Sequence, residues 1–129
     1  MDNIFTKIIN KTEPANIVYE NDYVCCFDDK FPNAPVHILI VPKRYIKSLA
    51  TIEEDDAKYL SEILLASNTI AKMKKIDESG FRLISNCNYD GGQEIEYLHF
   101  HLVGGFRLGR MLNLPKESKR KMKELCGET

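Results

Sequence analysis

The residues best suited to do chemistry in this chain are its three histidines, His37, His99 and His101. Each falls in a stretch that reads as a β-strand. Side chains alternate along a strand, so Leu98, Phe100 and Leu102 share one face and belong to the core. Tyr97, His99 and His101 then share the other face, with the two imidazoles about 7 Å apart along the strand. Residue types alone leave three uses open. The histidines could be half-exposed strand residues with a structural role. His99 and His101, with His37 as a third ligand, could present ring nitrogens to Zn²⁺, although no carboxylate or cysteine stands at a recognisable ligand spacing. Or one neutral imidazole could act as a nucleophile while its neighbours donate hydrogen bonds to the charge that develops.

Two glycine pairs bracket this strand. The segment Asn86-Cys87-Asn88-Tyr89-Asp90-Gly91-Gly92-Gln93 precedes it, and Gly104-Gly105 follows. Glycine lets backbone approach a ligand closely, and successive amides in such a turn can hold an anion.

The elements that must position these groups are legible in the pattern. Ile4-Phe5 and Ile8-Ile9 have the spacing of a short amphipathic helix that Pro14 ends. Asn16–Tyr19 and Tyr23–Phe27 read as strands joined by a turn at Glu20-Asn21-Asp22. Val36 to Val41 is almost uninterruptedly apolar, as expected of a central strand covered on both faces. Thr51-Ile52-Glu53-Glu54 has the form of a capping box. It predicts a helix from about residue 52 to about 75, with Leu60, Ile63, Leu64, Ile70 and Met73 on its buried stripe. Phe81–Ser85 and Leu98–Val103 complete five strands. The expected fold class is α+β, with a mostly antiparallel sheet, one long helix and a short N-terminal helix.

The 129 residues, 43% hydrophobic and 29% charged, suit one domain with a sizeable core. A net charge of −1 excludes a globally basic surface of the kind that drives nonspecific nucleic-acid or membrane binding. No apolar run approaches the ~20 residues of a membrane span, and Met1-Asp2-Asn3-Ile4-Phe5 does not read as a secretory signal. Cys25, Cys26, Cys87 and Cys126 include an adjacent pair and no Cys-x-x-Cys. They read as unpaired thiols in a reducing compartment, so a cytoplasmic protein is expected. From Arg107 to Lys123 there are seven basic residues against one acid, Glu117. The expected division is a folded domain over residues 1–112 and a basic, weakly docked tail over 113–129.

Several separated motifs resemble the histidine-triad (HIT) superfamily. Tyr97-Leu98-His99-Phe100-His101-Leu102-Val103 is similar to its His-φ-His-φ-His-φ-φ signature, φ being apolar. The preceding Asp90-Gly91-Gly92-Gln93-Glu94 and the following Gly104-Gly105 fit the same signature. Upstream, Pro32-x-Ala34-Pro35-x-His37 and Val41-Pro42-Lys43 resemble the Hint, or histidine-triad nucleotide-binding, branch in its bacterial form. The match runs over residues 4–112.

The resemblance implies a HIT-like homodimer that binds a purine nucleoside monophosphate or its phosphoramidate and hydrolyses the P–N bond through a nucleotidyl-histidine intermediate. It implies His99 as nucleophile, His101 as donor to the phosphate and His37 as support. Asp29 would hold the ribose, Asn86 would lie near phosphate and ribose, and Ile4, Phe5 and Phe27 would surround the base. Gly92, Gln93 and Glu94 would also contact nucleotide. No metal and no other cofactor are implied. The altered position is Tyr97, where the family has its first histidine. A phenol cannot be a base at neutral pH, but the backbone carbonyl that serves the nucleophile is kept, so reduced or altered activity is expected. A nucleotide-binding module with little turnover and a dinucleotide polyphosphate hydrolase are the rival expectations. No membrane partner is expected, and no nucleic acid beyond a weak role for the basic tail.

Overall fold

The computed structural model describes residues 3–127. In chain order these form α1 (Ile4–Ile9), β1 (Ile17–Glu20), β2 (Val24–Asp28), β3 (Val36–Pro42), α2 (Ala57–Met73), β4 (Phe81–Ile84), β5 (Phe100–Gly104) and α3 (Ser118–Cys126). The strands make one five-stranded sheet in the order β1-β2-β3-β5-β4, and every neighbouring pair is antiparallel. The expected α+β class and the five strands are therefore present.

The central strand β3 explains its own composition. Ile38 and Ile40 point into a core built with Ile63, Ala66 and Ile70 of α2, together with Leu98 and Leu102. Leu39 and Val41 point the other way, into a second core with Phe5 and Ile8 of α1 and with Cys25, Phe27 and Tyr97. Both faces are covered, so alternation disappears from the sequence. The β1–β2 turn is held by Asn21, whose Oδ1 accepts from the backbone N–H groups of Tyr23 and Val24. That local side-chain bonding is why Asn favours such a position.

The long helix departs from its expected start. Residues Leu49–Thr51 and Glu54–Asp56 form two single 3-10 turns, and α2 begins only at Ala57. The Thr51 hydroxyl does not cap α2. It accepts from the Ser48 N–H and donates to the Ser48 carbonyl, which closes the first turn. Asp56 does the same service at the second turn, accepting from the Glu53 N–H at 2.9 Å. The buried stripe is Ile63, Ala66, Ser67, Ile70 and Ala71. At 3.6 residues per turn Leu64 and Met73 stand about a quarter-turn to either side of that stripe, and they are 57% and 52% exposed. Neither belongs to the core, contrary to the expected stripe.

Beyond β5 the chain is largely exposed as far as α3. Helix α3 has no buried residue, and its basic side chains face solvent. Cys25 and Cys26 are buried, Cys87 is half-buried and Cys126 exposed, all as free thiols. Among the described residues, no helix is long and apolar enough to cross a membrane.

Candidate active site

The second face of the sheet carries all three histidines. Register places Leu39 opposite His101 and His37 opposite Val103. Tyr97 and His99 lie just before the paired part of β5 and continue its alternation. Phe5 of α1 covers them, its ring edge-on to Tyr97 at 5.8 Å and to His99 at 5.0 Å.

Hydrogen bonds determine which ring nitrogens carry protons. His99 Nδ1 lies 2.7 Å from the Tyr97 carbonyl oxygen. A carbonyl only accepts, so Nδ1 donates, and in the neutral ring Nε2 keeps a free lone pair. The Asn33 backbone N–H donates to His37 Nδ1 at 3.0 Å. His37 must then carry its proton on Nε2, which lies 2.9 Å from His101 Nδ1 and 3.3 Å from Asp29 Oδ2. His101 Nδ1 accepts, so the neutral His101 ring carries its proton on Nε2. The chain Asn33–His37–His101 thus ends in a donor, while the separate Tyr97–His99 contact ends in an acceptor.

Burial sets the charge of these rings. Desolvation lowers the His99 pKa below its ordinary value, against the raising effect of the Tyr97 carbonyl, Asp29 and Glu94. Desolvation first, and then the neighbouring His99 and His37, push His101 down to about 4. Both rings are neutral at pH 7.

Tyr97 turns away from the reacting face. Its hydroxyl donates to the Pro42 carbonyl at the end of β3. Desolvation raises its pKa to about 12. The phenol is a buried anchor, and only its backbone carbonyl meets His99.

Two joined hollows lie beside the histidines. One, of about 370 Å³, is bordered by Asp29, Asn33, Asn86, Glu94, His99 and His101, and Gly92 also contributes. The other, of about 450 Å³ and mainly apolar, lies against Ile4, Phe5, Phe27 and Ile95. Phe5, Asp29, Phe31, Leu39 and Ile95 border both. Asn86 Nδ2 donates to the Gly91 carbonyl at 2.7 Å and so holds the glycine turn against the cleft. Gly92 has φ +79° there, a conformation glycine adopts without strain.

Gln93 does not border either hollow. Its amide nitrogen donates to the carbonyls of Lys47 and Ile95, and its oxygen accepts from the Asn88 N–H. The second glycine pair is used for packing. A Cβ on Gly104 would stand 2.9 Å from Ile76 Cδ1, and one on Gly105 2.8 Å from Pro35 Cβ. Sequence reasoning did not single out Phe31, Asn33 or Ile95. Phe31 and Asn33 sit in a proline-containing loop without periodicity, and only the fold brings that loop to the cleft.

Among the described residues, Asp29, His37 and His101 bring potential ligand atoms within 4.8 Å of one another. His99, expected as a metal ligand in the zinc alternative, is not among them. The donor set fits a cation poorly. His37 Nδ1 already accepts from Asn33, so a cation on Nε2 would require the ring to lose both protons.

The chain matches the family model described as "Scavenger mRNA decapping enzyme C-term binding" over residues 2–113. It is 41% identical over 111 residues to the purine nucleoside phosphoramidase of Escherichia coli K12, covering 86% of this chain and 93% of the relative. The solved structure of a histidine triad protein from Clostridium difficile is 43% identical with a TM-score of 0.81, over 87% of this chain and 100% of that one. A HIT family hydrolase from Clostridium thermocellum is 42% identical with a TM-score of 0.82, over 84% and 96% of the two chains. The chain belongs to the histidine-triad family. Within that family it is a hydrolase.

Proposed function

We propose that the protein is a purine nucleoside phosphoramidase that works through a nucleotidyl-His99 intermediate. The observation that carries this reading is the pairing of opposite tautomers. His99 offers a free Nε2 lone pair, and His101 offers an Nε2–H to the same hollow. The phosphoramidase name of the Escherichia coli relative supports the substrate class.

The purine base fits the apolar hollow against Ile4, Phe5 and Phe27. Asp29 stands where both hollows meet, in place to accept from ribose hydroxyls. His99 Nε2 attacks phosphorus while the P–N bond breaks; the departing nitrogen keeps the electron pair, takes a proton from solvent water and leaves as a neutral amine, and the nucleotidyl-His99 ring carries the positive charge until hydrolysis returns a proton to solvent. Water then attacks phosphorus, the P–Nε2 bond breaks, and the nucleoside monophosphate leaves. His101 donates to a phosphoryl oxygen, which is worth most in a partly dry site. The Tyr97 carbonyl stabilises the charge that forms on the His99 ring. Gln93 serves by holding the glycine turn, and the exposed Glu94 borders the histidine cleft.

A homodimer is supported by Leu64, Leu65 and Met73, which lie more than half exposed on α2. The free cysteines suit a cytoplasmic setting. The rival of a binding module with little turnover rests on Tyr97. The phenol's outward anchor at Pro42 weighs against it, because the carbonyl used by the nucleophile is retained. Mass spectrometry of protein denatured rapidly at neutral or alkaline pH, where a P–N bond to histidine survives, after brief exposure to adenosine 5′-phosphoramidate tests the proposal. A nucleotidyl adduct on His99, absent in His99→Ala, is the expected result. Turnover in His99→Ala equal to that of the natural chain would sink it.

A further inference from the structure

A third hollow, of about 320 Å³, continues the row on the far side of His101. It shares Asn33, Asn86 and His101 with the histidine cleft and adds Arg82, Ile84 and Leu108. Register explains its place. On β4, Ile84 lies opposite His101 and Arg82 opposite Val103. His99, just before β5, and His101 and Val103 on it follow one another on the same face. The apolar hollow thus lies toward β1 and β2, the histidines lie over β3 and β5, and Arg82 lies over the β4 edge.

We propose that this third hollow receives the leaving group and that Arg82 selects amines carrying a carboxylate, as in an amino acid joined through nitrogen to a nucleoside phosphate. The inference rests on the phosphoramidase reading. In a displacement at phosphorus, the attacking and leaving atoms stand roughly in line. Attack from His99 therefore directs the leaving nitrogen away from His99, past His101, toward Val103 and Arg82. The P–N bond breaks with its electron pair on nitrogen, nitrogen takes a proton from solvent water in the open hollow, and the amino acid departs while phosphorus remains on His99 Nε2.

The charge of Arg82 is held in place and left uncompensated. Nη2 donates to the Gly109 carbonyl at 3.0 Å and Nη1 to the Arg110 carbonyl at 3.2 Å. These neutral acceptors fix the guanidinium under the segment that follows β5. Among the described residues Arg82 has no carboxylate partner. Each bonded nitrogen keeps a second N–H, and Nε keeps its own. A carboxylate on the carbon next to the leaving nitrogen lies one strand spacing beyond the phosphate, about 5 Å. Ile84, Val103 and Leu108 offer apolar contact to the side chain of such an amino acid.

The test compares adenosine 5′-phosphoryl-alanine with adenosine 5′-phosphoryl-alaninamide, which differ only in that carboxylate. The natural chain is expected to favour the acid by about 10-fold or more in kcat/KM, the scale of one hydrogen bond to a charged group. Arg82→Gln should bring the ratio near one, and Arg82→Lys should keep part of it. Leu108→Glu, a change at a half-buried segment outside the sheet, should turn the preference against the acid. A ratio near one in the natural chain overturns the inference. So does an equal slowing of both substrates by Arg82→Gln, which would assign Arg82 to the phosphate or to holding the chain. Absence of hydrolysis of both substrates and of the unsubstituted phosphoramidate would instead refute the phosphoramidase reading, and this inference with it.

Discussion

Replacing Tyr97 by Phe separates the two things this residue does. The ring stays, packed edge-on to Phe5 and, at 5.3 Å, to Tyr45. The backbone carbonyl also stays, and with it the 2.7 Å contact to His99. Only the hydroxyl bond to the Pro42 carbonyl is lost. A buried bond of this kind contributes ~1–2 kcal/mol when its removal leaves the partner unsatisfied. For a domain of this size that is a fall of about 4–8 °C in Tm. Urea and thermal denaturation should show the loss, while kcat/KM on adenosine 5′-phosphoramidate stays within about threefold, because the groups proposed to face phosphorus are untouched. A loss of ~100-fold in kcat/KM with unchanged stability would refute the reasoning, since the phenol would then be taking part in the chemistry.

The buried histidines make both rate and stability depend on pH. Their folded pKa values lie below the unfolded value of about 6.5, so the unfolded chain takes up protons first as pH falls. Stability is full above about pH 6.5 and declines toward about pH 4; urea midpoints should fall over that window, and fall less in His101→Gln. The acidic limb of kcat/KM should lie below pH 6.5, and a limb above pH 7 would contradict the neutral His99 nucleophile. Gly105→Ala should destabilise by about 1–3 kcal/mol, because φ is +109° and the new Cβ would stand 2.8 Å from Pro35; an unchanged melting curve would show that Pro35 yields freely. Alkylation of the native protein should mark the exposed Cys126 first and spare Cys26, whose burial raises its thiol to about 12; early labelling of Cys26 would mean that β2 opens.

The sheet was legible because its strands obey local rules. Val36–Val41 lacks alternation since both faces are covered, and Leu98–His101 shows alternation because its two faces differ. His99 and His101 were legible as a pair for the same reason, as period two fixes their common face, whereas His37, on a strand without alternation, was tied to them through the family resemblance. Less could be read where long-range packing decides. The start of α2 depends on Thr51 bonding backward to Ser48 instead of forward. The exposure of Leu64 follows from which side of α2 meets the sheet, a stripe centred on Ile63, Ala66 and Ile70. Arg82 and Asn33 carried no signal, because strand order and a loop's path bring them to the histidines. The protonation pattern was also hidden, since it follows from the Asn33 N–H and the Tyr97 carbonyl, groups that every sequence contains.

Helix α1 is only six residues long. Isolated helices of that length are not stable in water, so its order comes from Phe5 and Ile8 seated in the sheet. Phe5 and Ile4 also border the hollow assigned to the purine. Seating the helix and filling the hollow are then two views of one equilibrium. A nucleotide that binds only the docked form lowers the population of undocked chains by the factor 1 + [L]/Kd. Amide exchange in residues 4–9 should therefore slow in step with nucleotide concentration, so the N-terminal turn reports occupancy of the pocket as well as forming part of its wall.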